Sequence, residues 1–143
     1  MEVFTSSPKQ TQELAQRIAK KLKPKDVIVL IGDLGAGKTF FTTCLTKALG
    51  INARVQSPTF VLVREYEDKS APVIKKIYHA DLYRMTNIEE VLDLGLLAFM
   101  DEPALTIIEW PELIIDRLPK RTIRINIDTL SEFERKIHVH DLS

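Results

Sequence analysis

Apolar positions divide the chain into segments of two different periods. After Ser7, residues Leu14, Ala15, Ile18, Ala19 and Leu22 recur at helical spacing, with Ser7 as N-cap, Pro8 at the first helical position and Gln10 completing a capping box. Val27 to Ile31 is an unbroken β-branched and leucine run, the pattern of a strand buried on both faces of a parallel sheet. From Gly37 the spacing returns to helical, with Phe40, Phe41, Cys44, Leu45, Ala48 and Leu49 on one face and Gly50 placed to end the helix. Segments 59–67 and 73–83 read as strands joined by the polar turn DKSAP. A short helix follows, capped by Asn87, with Glu89 and Glu90 in its first turn and Gly95 as its stop. Residues 104–110 form a second buried strand ending near Glu109, and Pro111 opens a short helix over 111–118. Segments 122–128 and 135–141 alternate apolar and polar residues, as half-exposed strands near a sheet edge do.

This alternation of strands and helices predicts a layered α/β domain. The 143 residues suit a single domain, 1–143, and bury enough surface for a core without disulfides or structural metal. Lys plus Arg and Asp plus Glu balance at 20 each, so the chain lacks the overall positive charge of a stand-alone nucleic-acid binder. The cluster Lys20, Lys21, Lys23 and Lys25 reads as a solvated helix end. Cys44 is alone, which excludes an internal disulfide partner. The N-terminus has no basic segment followed by an apolar core, and no apolar run approaches the ~20 residues of a membrane helix. A cytoplasmic protein is expected.

The glycine-rich stretch changes this picture. Gly32-Asp33-Leu34-Gly35-Ala36-Gly37-Lys38-Thr39 fits G-x-x-x-x-G-K-[ST], and it lies between the buried strand and the amphipathic helix that such a phosphate loop requires. Glycines let successive N–H groups turn towards phosphate oxygens, and the following helix adds the positive end of its dipole. Lys38 would reach the β- and γ-phosphates, and Thr39 would ligate Mg²⁺. The expected architecture is therefore an α/β, three-layer P-loop NTPase domain, with a mostly parallel central sheet and antiparallel edge strands. Such a site needs a carboxylate at another strand end, and Asp81 and Glu109 are the candidates. Glu109 is the better metal ligand, because its strand is more apolar and hence more central.

The blocks GDLGAGKT, SPTF (Ser57 to Phe60), HADLYR (His79 to Arg84) and IEWPE (Ile108 to Glu112), in this order, resemble the TsaE family along essentially the whole chain. The resemblance implies a bacterial P-loop ATPase needed for the threonylcarbamoyl modification of the tRNA adenosine beside the anticodon. It implies ATP and Mg²⁺ as cofactors, and action with TsaD and TsaB, with tRNA reached indirectly and the transfer performed elsewhere. Carried over residue by residue, Gly35, Ala36, Gly37, Lys38, Thr39 and Phe40 would hold phosphates, with Thr39 and Glu109 around the metal. Thr59 is similar to a switch residue near the γ-phosphate, and Asp81 to the acid that orients the attacking water. Trp110 is placed to report on the site by fluorescence. Pro8, Thr11 and Arg135 would contact adenine between the first helix and the last hairpin. Many members carry a second hydroxyl where this chain has Phe40, which implies differently tuned nucleotide binding. Feeble hydrolysis alone and stimulation by partners follow, with Arg84 as a candidate for stabilising transferred charge.

Two enzyme rivals are weaker. A GTPase would carry N-K-x-D, which the sequence lacks. A small-molecule P-loop kinase could use Asp33 and Asp81 on an acceptor hydroxyl, but no arginine-rich lid is evident. A nucleotide-gated binding module, controlled by its ATP state and not by turnover, is the non-enzymatic alternative. His138 and His140 share a strand face without further ligands nearby, and His79 reads as ordering the Asp81 segment. Asp33 is expected to point across the mouth of the site, towards a partner's basic residue or a metal-bound water, because a carboxylate facing phosphate would repel it.

Overall fold

The computed structural model describes residues 1–59 and 61–142; Phe60, the last residue of the SPTF block, lies outside the described residues. In chain order the elements are β1 (Glu2–Thr5), α1 (Pro8–Ala19), β2 (Val27–Ile31), α2 (Lys38–Ala48), β3 (Val63–Glu67), β4 (Lys76–Asp81), α3 (Ile88–Asp93), α4 (Leu96–Phe99), β5 (Leu105–Glu109), β6 (Ile123–Thr129) and β7 (Arg135–His140). Among the described residues, seven strands form one sheet in the order β1-β7-β6-β2-β5-β4-β3. Strands β6, β2, β5 and β4 run parallel to one another. Antiparallel partners extend both sides: β3 beside β4, and β7 then β1 beyond β6.

Helices cover both faces of the sheet, as two separate cores record. Leu14 and Ile18 of α1 and Phe41 and Leu45 of α2 pack on Ile28, Leu30, Ile107 and Ile125. On the opposite face, Val91, Leu96, Met100 and Ile114 pack on Val27, Val29, Ala80 and Ile108. Residues alternate between faces along a strand, so β2 needs apolar residues at every position, and that requirement explains its unbroken run. Parallel pairing brings the C-terminal ends of β2, β4 and β5 to one edge, where Asp81 pairs in register with Glu109, and Leu30 with Glu109 from the other side.

Three expectations need correction, and one strand lies outside them. Strand β3 begins at Val63, not Thr59, because the N–H groups of Val61 and Leu62 bond back to the carbonyl of Pro58, and Leu62 turns through φ +69°. The helix expected over 111–118 is a 3-10 turn at Ile115–Arg117, held by i→i+3 bonds from Ile114 to Pro111 and from Arg117 to Ile114. Pro119 then forces Leu118 into extended backbone. Strand β6 is interior and parallel to β2. Ile123, Ile125 and Ile127 are buried while Arg124 and Asp128 are exposed, so its alternation reflects helical cover on one face and not an edge position. On this side the sheet ends at β1, which is four residues long and too short to register as a pattern.

The caps follow the sequence more closely. Ser7 Oγ accepts from Gln10 N–H at 3.4 Å, but the Gln10 side chain accepts from Ser6 N–H at 2.6 Å, one residue earlier than a standard capping box. Asn87 Oδ1 accepts from Glu90 N–H at 2.9 Å. No described helix is long and apolar enough to cross a membrane.

Candidate functional site

The glycine loop leaves β2 at Gly32 and enters α2 at Lys38. Gly37, at φ +102°, occupies the N-cap position in a left-handed conformation that a side chain would strain. Gly32 is needed for space: a Cβ there would lie 2.6 Å from the main-chain oxygen of Ile127, on the neighbouring strand β6. That oxygen is held in β6 by the pairing of Ile127 with Ile137 of β7, so it cannot retreat freely. Gly32→Ala should therefore lower unfolding free energy by about 1–3 kcal/mol, read as a reduced urea midpoint at unchanged slope. A midpoint equal to wild type would show that the strand yields freely.

Lys38, in the first turn of α2, is the centre of the site and is only 6 % exposed. Its ammonium donates to Gly32 O at 2.7 Å, lies 4.2 Å from the ring centre of Trp110, and stands 3.9 Å from Glu109 Oε1. Burial pushes the Lys38 pKa below its ordinary value, and the charges of Glu109, Asp81, Asp33 and Glu112 pull the other way. Trp110 reaches its position through φ +54°, a conformation uncommon for a bulky residue, and packs against Tyr83 at 4.9 Å between ring centres.

The two strand-end carboxylates are both buried, yet they are held differently. Asp81 Oδ1 accepts from Tyr83 N–H at 2.9 Å, and Oδ2 accepts from the Thr59 hydroxyl at 3.0 Å. The hydroxyl of Ser57 lies 2.7 Å from that of Thr59, so the SPT residues close over Asp81. Glu109 Oε2 is 2.6 Å from His79 Nε2, and Oε1 faces Lys38. His79, wholly buried, meets the Tyr66 hydroxyl through Nδ1 at 3.3 Å, and the Tyr66 oxygen in turn lies 3.2 Å from Gln56 N and 2.9 Å from Gln56 O. Burial pushes the Tyr66 hydroxyl pKa up, which keeps it a neutral phenol.

Pro8, Thr11 and Arg135, distant in sequence, line one cavity of about 180 Å³ together with Ala36 and Gly37. Arg135 Nε donates to Ala36 O at 3.0 Å, tying the last hairpin to the loop. Phe40 lines the same cavity and is 40 % exposed, so it does not belong to the packed face of α2. Cys44, by contrast, is buried there. Asp33 is exposed and borders a second cavity with Trp110, Glu112 and Asp128. Its main-chain oxygen accepts from Ala36 N–H at 3.0 Å, so its backbone shapes the loop while its side chain stands at the rim. Thr39 follows Lys38 in the first turn of α2 and its carbonyl accepts from Thr43 Oγ1 at 2.9 Å. Among the described residues there is no cluster of three or more His, Cys, Asp or Glu suited to hold a metal by itself.

The sequence reading missed Phe133 in the first cavity, Glu112 beside Asp33, and the link from Tyr66 through His79 to Glu109. Phe133 is an exposed aromatic in a hairpin turn, a legible signal; the Tyr66 link depends on strand pairing and left no local trace. Chemically, the arrangement offers a glycine turn and helix N-terminus for an anion, one buried cation, two carboxylates with different partners, and an adjoining partly apolar cavity.

Known proteins match this chain in sequence and in fold. The family model described as threonylcarbamoyl adenosine biosynthesis protein TsaE matches residues 5–137. A relative from Bacillus subtilis, named tRNA threonylcarbamoyladenosine biosynthesis protein TsaE, is 41% identical over 93% of this chain and 80% of its own. A protein of the same name from Treponema pallidum is 32% identical over 97% of this chain and 99% of its own. The crystal structure of YdiB from Bacillus subtilis superposes with a TM-score of 0.77 at 34% identity, covering 96% of this chain and 82% of that one. On this match of nearly the full length, the chain belongs to the TsaE family.

Proposed function

We propose that the chain binds and hydrolyses ATP as one subunit of the machinery that forms threonylcarbamoyl adenosine in tRNA, in the cytoplasm. It would act with TsaD and TsaB and leave the transfer to them. The observation that carries this reading is the convergence of Lys38, Asp81, Glu109 and Thr59 at the strand edge that adjoins the glycine loop.

Each group then has a task. The adenine base fits the cavity lined by Pro8, Thr11, Phe40 and Arg135, whose apolar walls suit a flat ring and whose guanidinium can stack on it. Backbone N–H groups of Gly35 and of Gly37 to Phe40, at the start of α2, donate to phosphate oxygens, and Ala36 N–H joins them on leaving Asp33 O. Lys38 exchanges its bond to Gly32 O for one to a phosphate. Asp81, aligned by Tyr83 N–H and Thr59, holds and orients the attacking water. Thr39 Oγ1 and Glu109 would hold Mg²⁺. The donor set fits, because Mg²⁺ prefers hard oxygen ligands, keeps several waters and takes one or two carboxylates besides the phosphates. When bound, the ion neutralises charge on the β- and γ-phosphates.

The test is phosphate release by the purified chain, alone and with TsaD, TsaB and tRNA. Slow release alone and stimulation of at least about tenfold in the complex are expected, since catalytic groups supplied by a partner are worth several orders of magnitude in related sites. Equal turnover with and without partners would sink the regulatory part. A phosphorylated acceptor in place of free phosphate would favour the kinase reading. Asp33→Asn belongs in the same assay: at the exposed rim, its loss should leave nucleotide affinity within about threefold and reduce stimulation, if Asp33 meets a partner.

A further inference from the structure

The two buried carboxylates of the site are tied to the same segment of chain by different routes. Thr59 bonds Asp81 directly. Glu109 is reached in steps: Gln56 offers both its N–H, 3.2 Å from the Tyr66 hydroxyl, and its carbonyl, 2.9 Å away; Tyr66 Oη lies 3.3 Å from His79 Nδ1; and His79 Nε2 lies 2.6 Å from Glu109 Oε2. Three strands carry this chain of contacts, Tyr66 on β3, His79 on β4 and Glu109 on β5, which are sequential neighbours in the sheet.

We infer that His79 and Tyr66 are positioning residues that tie the Glu109 carboxylate to segment 56–59, so that this one segment sets both carboxylates together. This rests on the proposed reaction for its consequence, though not for its geometry. An ionised carboxylate can only accept, so His79 donates Nε2–H to Oε2 and fixes the carboxylate plane, leaving Oε1 directed to the site. Lys38 cannot do this work: at 3.9 Å from Oε1 it is beyond hydrogen-bond reach, and it is the group a phosphate would draw away. His79 is 0 % exposed, with Ile77 also buried on its strand and Ile107 opposite it in register. A polar ring in such surroundings destabilises the core unless both nitrogens are satisfied: with Nε2–H given to Glu109, Nδ1 accepts from the Tyr66 hydroxyl, whose oxygen is itself held by Gln56 N–H, so both contacts lead along one line between the segment and the site. A ring whose role ended at packing would have no need of the Tyr66 hydroxyl.

Three variants separate this from simple packing: Tyr66→Phe removes one oxygen at constant ring size, His79→Gln keeps a donor for Glu109, and His79→Leu removes it. The first readout is hydrogen exchange of the amides of Gln56, Ser57 and Thr59 in the protein without nucleotide. Tyr66→Phe should raise exchange at Gln56, and His79→Leu should also raise it, although His79 touches no residue of the segment in the contacts described. The second is steady-state phosphate release in the partner complex. For Tyr66→Phe and His79→Leu, kcat should fall about tenfold or more with KM for ATP within about threefold, the range typical of groups that orient a ligating or catalytic side chain. His79→Gln should recover most of the loss. The inference is overturned by Tyr66→Phe with wild-type kcat, by His79→Gln no better than His79→Leu, or by exchange at 56–59 unmoved in His79→Leu. If the wild type itself hydrolyses no ATP, the proposed function fails, while the exchange measurement still decides the tie.

Discussion

Lys38→Met will weaken ATP binding and lower turnover together, each by at least about a hundredfold. The side chain is buried, and its ammonium bonds Gly32 O at 2.7 Å with Glu109 and the Trp110 ring close by. Hydrogen bonds to a charged group contribute about 1.5–3 kcal/mol each, so two lost to phosphate oxygens account for two orders of magnitude or more. A second effect adds to this. Glu109, Asp81, Asp33 and Glu112 all bear electrostatically on Lys38, and without it their negative field faces an incoming polyphosphate unopposed. The nucleotide-free protein should tolerate the change, because burial of the charge already works against Lys38 and methionine fills similar space. Titration with a fluorescent nucleotide, phosphate release and a thermal melt check the three parts. Affinity within threefold of wild type would remove Lys38 from the site. Lys38→Arg should not rescue, since a planar guanidinium cannot replace a compact ammonium seated 2.7 Å from Gly32 O and 4.2 Å from the Trp110 ring centre.

What the sequence discloses about this site follows from how local each signal is. The glycine loop is contiguous and joins two elements whose own patterns are strong, so its start at Gly32 coincides in chain and structure, and the helix expected from Gly37 begins one residue later, with Gly37 as its N-cap. Asp81 and Glu109 were legible because each ends a buried strand, and parallel pairing then sets them side by side. Pro8, Thr11 and Arg135 came only from family resemblance, yet all three line one cavity. The failures lie where tertiary context competes with local pattern. Segment 59–62 has the composition of a strand, but the Pro58 carbonyl captures the N–H groups of Val61 and Leu62, and the Thr59 hydroxyl bonds Asp81. Residues after Pro111 have helical composition, but Trp110 at φ +54° starts them in a turn that tightens to 3-10 geometry. In β6 the half-exposed pattern has the right periodicity, yet periodicity cannot say that one sheet face goes uncovered in the middle of a sheet. His79 is expected to order the Asp81 segment; its ring instead joins Tyr66 to Glu109 across neighbouring strands, which no spacing along the chain can reveal.

Asp81→Asn and Glu109→Gln, compared side by side, decide which carboxylate acts on water and which on metal. Asparagine preserves the size of Asp81, its amide oxygen can still accept from Tyr83 N–H, and Thr59 Oγ1 can accept from the new amide, so the turn should survive. Only the negative charge and its basicity are lost. ATP affinity should then stay within about threefold, or improve, because one acid fewer opposes the phosphates, while turnover falls at least about a hundredfold, as removal of a group that positions or deprotonates a nucleophile does. Glu109→Gln should behave otherwise. Its oxygen keeps the bond from His79, but a neutral amide is a poor ligand for Mg²⁺, so the Mg²⁺ concentration for half-maximal turnover should rise at least about fivefold and excess Mg²⁺ should restore part of the rate. Excess Mg²⁺ should do nothing for Asp81→Asn. If instead Asp81→Asn is the variant restored by Mg²⁺, the two roles exchange. The geometry argues against that exchange: both oxygens of Asp81 already accept hydrogen bonds from Tyr83 and Thr59, whereas Oε1 of Glu109 faces only an ammonium that a phosphate would displace.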